Sequence, residues 1–254
     1  MRSKSSHEEP IIHYMQFYAV DFFNMVEEHK GAFESLCNLL FDEKTIAFHL
    51  DKENKKVIPE KEVDQESGNF NIKKALELWD RAMLWQAIET YGQQTIVIMV
   101  SIAESLIQTF FECVFCRYPE RMYDYVSSKF VDSTLKGKID LREVLQNSTR
   151  EELIFSLASR AGEIAMQGKF QSSINNLKAV TKGKFNEAIL KKLIPLVEQR
   201  NRIIHELSRE DITYNYIMDL FEVVSELVKE SEKAAIKLDI PVIRIDVDVP
   251  DGIS

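Results

Sequence analysis

Residues 198–206 read EQRNRIIHE and lie at the end of an apolar pattern that runs from about residue 186 to residue 207. The apolar residues of this segment recur at three- and four-residue spacing: Leu193, Leu196, Val197, Ile203, Ile204 and Leu207. An α-helix that lays one face on a core has this spacing, because 3.6 residues make one turn. The segment is therefore predicted to be a core-facing helix, whose apolar face is interrupted by Arg200, Asn201 and His205.

The side chains of Arg200 and His205 could together bind a phosphate and transfer a proton to or from an adjacent oxygen. Arginine is a permanent cation with a fork of donors, and histidine gains or loses a proton near neutral pH. On an ideal helix Arg200 and His205 lie roughly 140° apart, whereas Asn201 and His205 share one face. Arg200 and His205 can therefore meet in two ways: Arg200 reaches round a distorted helix, or two copies of the segment meet across a dimer.

The charge of the chain is unevenly distributed. The formal net charge of the 254 residues is -9, which argues against a general nucleic-acid binder. Between Lys178 and Arg209, however, eight basic residues face only three acids, a local charge of +5. Such a region can hold a polyanion at one place while the rest of the surface repels it. A solvated helix face is the alternative interpretation.

Composition limits the class of protein. Only 8 Gly and 6 Pro argue against a β-sandwich and against a glycine-rich phosphate loop. Three cysteines, with no apolar targeting segment at the start, indicate reduced thiols and a cytoplasmic protein. The histidines before residue 50 are scattered and are predicted to carry no chemistry. No carboxylate cluster predicts a metal site.

Four regions follow from the pattern along the chain. Residues 1–50 are predicted to be a helical extension with a helix from Ile11 to Leu40, and residues 51–72 a charged linker. Residues 73–238 are predicted to form an all-α bundle, and residues 239–254 a tail. The tail alternates apolar and polar residues from Ile240 to Val249, which predicts a half-buried strand. This strand needs a partner, either from Val57–Ile58 or from another chain.

Within the bundle, Lys73 to Tyr118 is predicted to form two helices or one helix kinked near Gly92. Its second half is apolar enough for a membrane helix, but a polar stripe at every fourth residue (Glu104, Gln108, Glu112) indicates a buried helix of a soluble protein. Cys113 and Cys116 are predicted to pack in the core, because no second ligand pair accompanies them. Besides the helix of residues 186–207, five helices are expected after Pro119. The first four are at Arg121–Phe130, at Leu141–Gln146, after a capping box at residues 147–152, and at Ser172–Val180. The fifth is the last helix of the bundle, capped by Asp211.

Arg200, followed by Asn201 and, after three further residues, by His205, resembles the Arg-x4-6-His signature of the HEPN superfamily. Members of that superfamily are all-helical domains that are often metal-independent RNA endonucleases. Residues 101–111 resemble its first core helix, which often carries a polar residue facing the motif; Glu104 is the candidate here and would orient Arg200. The resemblance covers about residues 76–238 and implies a HEPN-like helical bundle.

The resemblance also implies a mechanism. His205 would exchange a proton with the ribose 2′-hydroxyl or the leaving 5′-oxygen, and Arg200 would bind the scissile phosphate and stabilise its developing charge. Asn201 would orient His205 or hydrogen-bond a phosphate oxygen. The products would be a 2′,3′-cyclic phosphate and a 5′-hydroxyl, formed without metal or cofactor at a composite site in a homodimer. Basic side chains near the motif would contact the flanking RNA backbone: Arg202, Lys182, Lys184, Lys191 and Lys192.

The resemblance suggests a bacterial toxin or phage-defence protein that acts on RNA, with tRNA as one candidate, and that is held by an antitoxin or another regulatory protein. In one subgroup a tyrosine two residues after the histidine is modified; Leu207 stands there, so that control is not implied. Two other classes of function stay open. One is a non-catalytic HEPN-like module that binds a nucleotide or nucleic acid, and the other is a helical interaction protein whose tail adds a strand to a partner.

Overall fold

The computed structural model describes residues 16–41, 72–125, 141–206 and 212–243. Within these ranges the chain is helical apart from short turns and one pair of two-residue strands, so the prediction of an all-α fold is confirmed. The elements follow in chain order: β1 (Phe17–Tyr18), α1 (Ala19–Phe41), α2 (Ile72–Arg117), α3 (Leu141–Gln146), α4 (Arg150–Met166), α5 (Phe170–Thr181), α6 (Glu187–Glu206), α7 (Tyr214–Lys237) and β2 (Val242–Ile243).

Helix α2 is the centre of the bundle, and it packs against α1, α4, α6 and α7. It is one helix of 46 residues, so the two-helix alternative for this segment is wrong. Gly92 lies inside it for a packing reason: a Cβ there would stand 2.8 Å from Cγ2 of Ile212. The glycine therefore allows the segment before α7 to approach α2 closely.

The apolar second half of α2 forms the middle of the core. Ile96, Met99, Leu106 and Phe110 are all fully buried there. Gln86–Arg117 is the one candidate membrane span in the described part of the chain, by length and composition alone. More than half of its apolar stretch is buried inside the structure, against other helices.

Helix α1 packs on the same core as the helices of residues 73–238. Its Phe33 is buried and stacks on Tyr91 of α2 and on Tyr214 of α7. The helix begins at Ala19, so it starts later than the helix expected from Ile11. It continues without a break through Gly31. Residues 11–15 lie outside the described ranges.

Strand β2 pairs in parallel with β1, Phe17 opposite Val242 and Tyr18 opposite Ile243. The tail strand was predicted to pair with Val57–Ile58 or with another chain, and the partner seen is different. The reason is the side chain of Phe17, which is fully buried and packs edge-on against Phe110. Burying this ring brings the chain before α1 beside the tail; Val57–Ile58 lie outside the described residues.

Local sequence signals explain several helix ends. Thr149 and Glu152 form the predicted capping box at the start of α4, and α3 has the predicted bounds. Thr213, not Asp211, caps α7, because its hydroxyl accepts from the backbone N–H of Tyr216. Where a helix was expected from Arg121, the structure has a 3₁₀ turn at Pro119–Met122, and residues 126–130 lie outside the described part.

Candidate active-site cleft

Helix α6 carries the Arg-Asn-His segment and packs against α2, α5 and α7. Its apolar residues Leu193, Leu196 and Val197 are buried, as their spacing predicts. Gln199, also buried, accepts a hydrogen bond from the hydroxyl of Tyr216 in α7. This bond and the apolar face together set the rotation of α6, so that the next residue, Arg200, is turned toward α2.

Arg200 and Glu104 form an ion pair between α6 and α2. Nη2 of Arg200 donates to Oε1 of Glu104 at 2.5 Å, and the two side chains are 20% and 31% exposed. The contact expected between these residues is therefore present. Nε of Arg200 is buried and has no hydrogen-bond partner among the described residues. Since guanidinium has five N–H donors, this arginine has donors left for a further acceptor.

A cleft of about 440 Å³ opens over this ion pair. One wall comes from α2 and α6 and includes Glu104, Val197 and Asn201. The other wall is the turn between α4 and α5 with the first residues of α5, including Lys169 and Gln171. The cleft is therefore partly polar and places donors from two separate helices around one space.

His205 lies apart from this cleft. It is exposed in the last turn of α6, five residues beyond Arg200, and is not among the residues that line the cleft. In one straight helix the two side chains leave in different directions, which agrees with the angle expected from the sequence. Within a single chain the structure brings together Glu104, Arg200 and Asn201, but not His205.

The predicted RNA-binding lysines are largely committed to other partners. Nζ of Lys184 donates to the backbone carbonyl of Lys237 at 2.6 Å. Lys192 pairs with Glu226 of α7 at 2.8 Å, and Lys191 lies 3.9 Å from Glu187. The local positive charge seen in the sequence is thus reduced by one acid of α7, Glu226, and by one acid of α6 itself, Glu187.

Position also separates these lysines from the cleft. Lys182 is exposed at the end of α5 and precedes the start of α6, whereas Arg200 lies near the other end of α6. The thirteen residues from Glu187 to Arg200 span about 20 Å of helix. Arg202 is exposed close to the motif but does not line the cleft.

The polar stripe of α2 continues from Glu104 into the contact between α2 and α4. Nε2 of Gln108 donates to Glu112 at 3.2 Å, and the hydroxyl of Ser159 donates to the same carboxylate at 3.3 Å. Gly162 lets α4 come close at this level, because a Cβ there would stand 3.0 Å from Cγ of Glu112. Glu112, supported by Gln108 of the same helix, thus joins α2 to Ser159 of α4, and of the three stripe residues only Glu104 lines the cleft.

Cys113 and Cys116 are free thiols buried in the core, as predicted. Burial raises the pKa of Cys113 to about 12 and the pKa of Cys116 to about 11. Both thiols therefore stay protonated near neutral pH and are poor nucleophiles. No group of three His, Cys, Asp or Glu side chains within the described ranges has the arrangement of a metal site.

Sequence reasoning missed Lys169 and Gln171 as cleft residues. They lie about thirty positions before the motif, Lys169 in the turn before α5 and Gln171 in the first turn of that helix. The available signal was Gly168, which follows the end of α4 and has a φ of +94°. A glycine in the left-handed region reverses the chain sharply, and here it directs the following residues to the cleft wall.

Comparison of the chain with protein-family models, with curated proteins and with solved structures gives no match.

Proposed function

We propose that this protein is a HEPN-type, metal-independent endoribonuclease whose active site is the cleft over Arg200. The observation that carries the proposal is the ion pair between Arg200 and Glu104 on the cleft floor, beside Asn201. The carboxylate of Glu104 holds the guanidinium in one orientation, and Nε of Arg200 has no hydrogen-bond partner among the described residues. Such a cation suits the stabilisation of charge that develops on a phosphate during reaction.

In the proposed reaction the ribose 2′-oxygen attacks the adjacent phosphorus. The 2′-hydroxyl loses its proton to a base, the bond from phosphorus to the 5′-oxygen breaks, and that oxygen takes up a proton. His205 would serve as the base or the acid, since imidazole exchanges protons near neutral pH. Arg200 would contact the non-bridging oxygens, and Asn201 would hydrogen-bond a phosphate oxygen or the imidazole.

Because His205 stands outside the cleft of its own chain, the proposal includes a homodimer. The last turn of α6 presents Ile204, 44% exposed, beside the exposed His205. A twofold axis near this turn would bury Ile204 and bring the histidine of one protomer toward the cleft of the other. The setting that goes with this activity is a bacterial toxin or phage-defence protein.

The test is incubation of the purified protein with total RNA and with tRNA in EDTA, followed by analysis of the product ends. Wild type is expected to leave 2′,3′-cyclic phosphates, and His205→Ala to cleave at least about 10²-fold more slowly. His205 is exposed, so its loss should leave the fold intact.

Arg121→Ala is the matched control for Arg200→Ala. Arg121 is also a largely buried arginine whose Nε makes no hydrogen bond to a described residue, although it lies 4.0 Å from a carboxylate oxygen of Glu120. It lies beyond the far end of α2, where it stacks on Tyr118 and donates to the carbonyl of Val180. Cleavage should be lost in Arg200→Ala and kept in Arg121→Ala. Equal cleavage by wild type, His205→Ala and Arg200→Ala would refute the proposed site.

A further inference from the structure

The ion pair on the cleft floor creates an electrostatic problem for the proposed function. Arg200 and Glu104 carry opposite charges 2.5 Å apart, so the pair as a whole adds no net charge. Arg200 can orient a phosphate, but the pair gives little long-range attraction for RNA, which carries one negative charge per nucleotide. A further cation at the cleft is needed to bind the polyanion.

Lys169 is the other basic residue that lines the cleft. Its side chain is exposed, and within the described ranges it has no ion pair, in contrast to the paired Lys191 and Lys192. An ammonium group without an internal partner loses no protein contact when it binds a phosphate. Lys169 therefore combines a position at the cleft with an ammonium group that has no ion pair to a described residue, whereas Lys184, Lys191 and Lys192 have partners and Lys182 lies away from the cleft.

The backbone around Lys169 supports the same role. Gly168, with a φ of +94°, turns the chain between α4 and α5, and a Cβ added there would meet no described atom within 4 Å. Lys169 is the N-cap residue of the twelve-residue helix α5, and no side chain of the described residues caps that helix end. The partial positive charge of a helix N-terminus adds to the charge of the ammonium group.

Glu198 of α6 opposes Lys169. Its exposed carboxylate also lines the cleft, so the charged side chains that line the cleft within the described ranges are two cations and two anions. With Arg200 and Glu104 neutralising each other, the sign of the charge at the cleft entrance depends on Lys169 and Glu198. Removing one or the other should therefore change RNA affinity in opposite directions.

We infer that Lys169 binds a backbone phosphate of the substrate next to the phosphate held by Arg200, and that Glu198 limits how tightly RNA is held. This inference rests on the proposed function, because it takes RNA as the ligand of the cleft. It assigns the backbone contact to the turn between α4 and α5, and not to Lys182, Lys184, Lys191 or Lys192.

The test measures binding separately from cleavage. A fluorescent 2′-O-methyl oligonucleotide lacks the attacking hydroxyl and stays intact, so its anisotropy can be titrated in EDTA at several salt concentrations. Lys169→Gln should weaken binding by about three- to ten-fold and reduce the salt slope by about 0.7, the value for one phosphate contact on a single strand. Glu198→Gln should tighten binding by a similar factor.

Lys233→Gln is the matched control, because it removes one exposed lysine from α7 at a distance from the cleft. Binding by Lys169→Gln that equals binding by Lys233→Gln would overturn the inference, and so would a wild type that fails to bind the oligonucleotide. RNA cleavage that depends on Arg200 and His205, with unchanged binding by Lys169→Gln, would refute the inference alone. Binding that depends on Lys169, without cleavage of RNA by wild type, would support the inference and refute the endonuclease.

Discussion

Removing the guanidinium of Arg200 should destabilise the fold by about 2 kcal/mol. At an effective dielectric constant of about 20, two charges about 4 Å apart attract each other by about 4 kcal/mol. Partial desolvation of the two charges offsets part of this attraction. Fully exposed ion pairs contribute about 0–1 kcal/mol, whereas loss of one partner from a buried pair costs about 3–5 kcal/mol. The side chains of Arg200 and Glu104 are 20% and 31% exposed, so their pair lies between these two cases. Arg200→Met keeps the aliphatic stem and leaves the carboxylate of Glu104 without its partner.

A double-mutant cycle isolates the pair itself. Urea unfolding of wild type, Arg200→Met, Glu104→Gln and the double variant should give a coupling energy of about 1–2 kcal/mol. The melting temperature of Arg200→Met should fall by about 4–8 °C, because 1 kcal/mol corresponds to about 2–4 °C in a chain of this size. A coupling energy below about 0.5 kcal/mol would refute the reasoning, since unconnected residues give the same result.

The same four proteins separate orientation from stability. If Glu104 acts through Arg200, then Glu104→Gln should lower kcat/KM for RNA in the wild-type background and cause no further loss in Arg200→Met. Equal fractional losses in both backgrounds would mean that the carboxylate works independently of the arginine. Assays well below the melting temperature of the least stable variant keep unfolding out of the comparison.

Two further predictions concern the core. Gly92→Leu should lower the free energy of unfolding by about 1–3 kcal/mol, because a Cβ alone would stand 2.8 Å from Ile212. A Cβ at Gly31 meets no described atom within 4 Å, so Gly31→Ala should be neutral or stabilise the fold by up to about 1 kcal/mol. Equal urea midpoints for the two variants would contradict the close approach of Ile212 to Gly92. Since burial raises the pKa of Cys113 to about 12 and of Cys116 to about 11, folding favours the neutral thiols, and the free energy of unfolding should fall as pH rises above about 9 towards those values. Alkylation of the native thiols at about pH 8 as fast as in urea would contradict this burial.

Elements with local causes were the ones that sequence predicted well. The capping box of Thr149 and Glu152 is complete within four residues, and the apolar spacing of α6 is complete within twenty. The contact between Glu104 and Arg200 was expected from the resemblance, and not from spacing, because 96 positions separate the two residues. Thr213 replaced Asp211 as a cap since both residues are capable caps and only the path of the chain selects between them.

The lysines show what sequence could not provide. A count along residues 178–209 gives a local positive charge, but Lys192 meets Glu226 and Lys184 meets a carbonyl of α7, both outside that window. Whether a lysine has a partner depends on which helix packs beside it. A count within one window of sequence cannot show that packing, because the neighbouring helix lies elsewhere in the chain. Lys169 lies outside the same window, lines the cleft and has no ion pair within the described ranges.

The pairing of Phe17 with Val242 has a consequence for the order of folding. It closes a loop that spans 225 positions, and closure entropy grows with the logarithm of loop length, about 0.6 kcal/mol for each doubling. Strands of two residues each form too few contacts to offset this loss of entropy on their own. They can therefore pair only after α1 and α7 have docked on α2. We therefore expect β1 and β2 to join last and, during unfolding, to separate first, so that exchange of the Phe17 amide, which donates to the carbonyl of Pro241 at 2.8 Å, reports the earliest opening of the molecule.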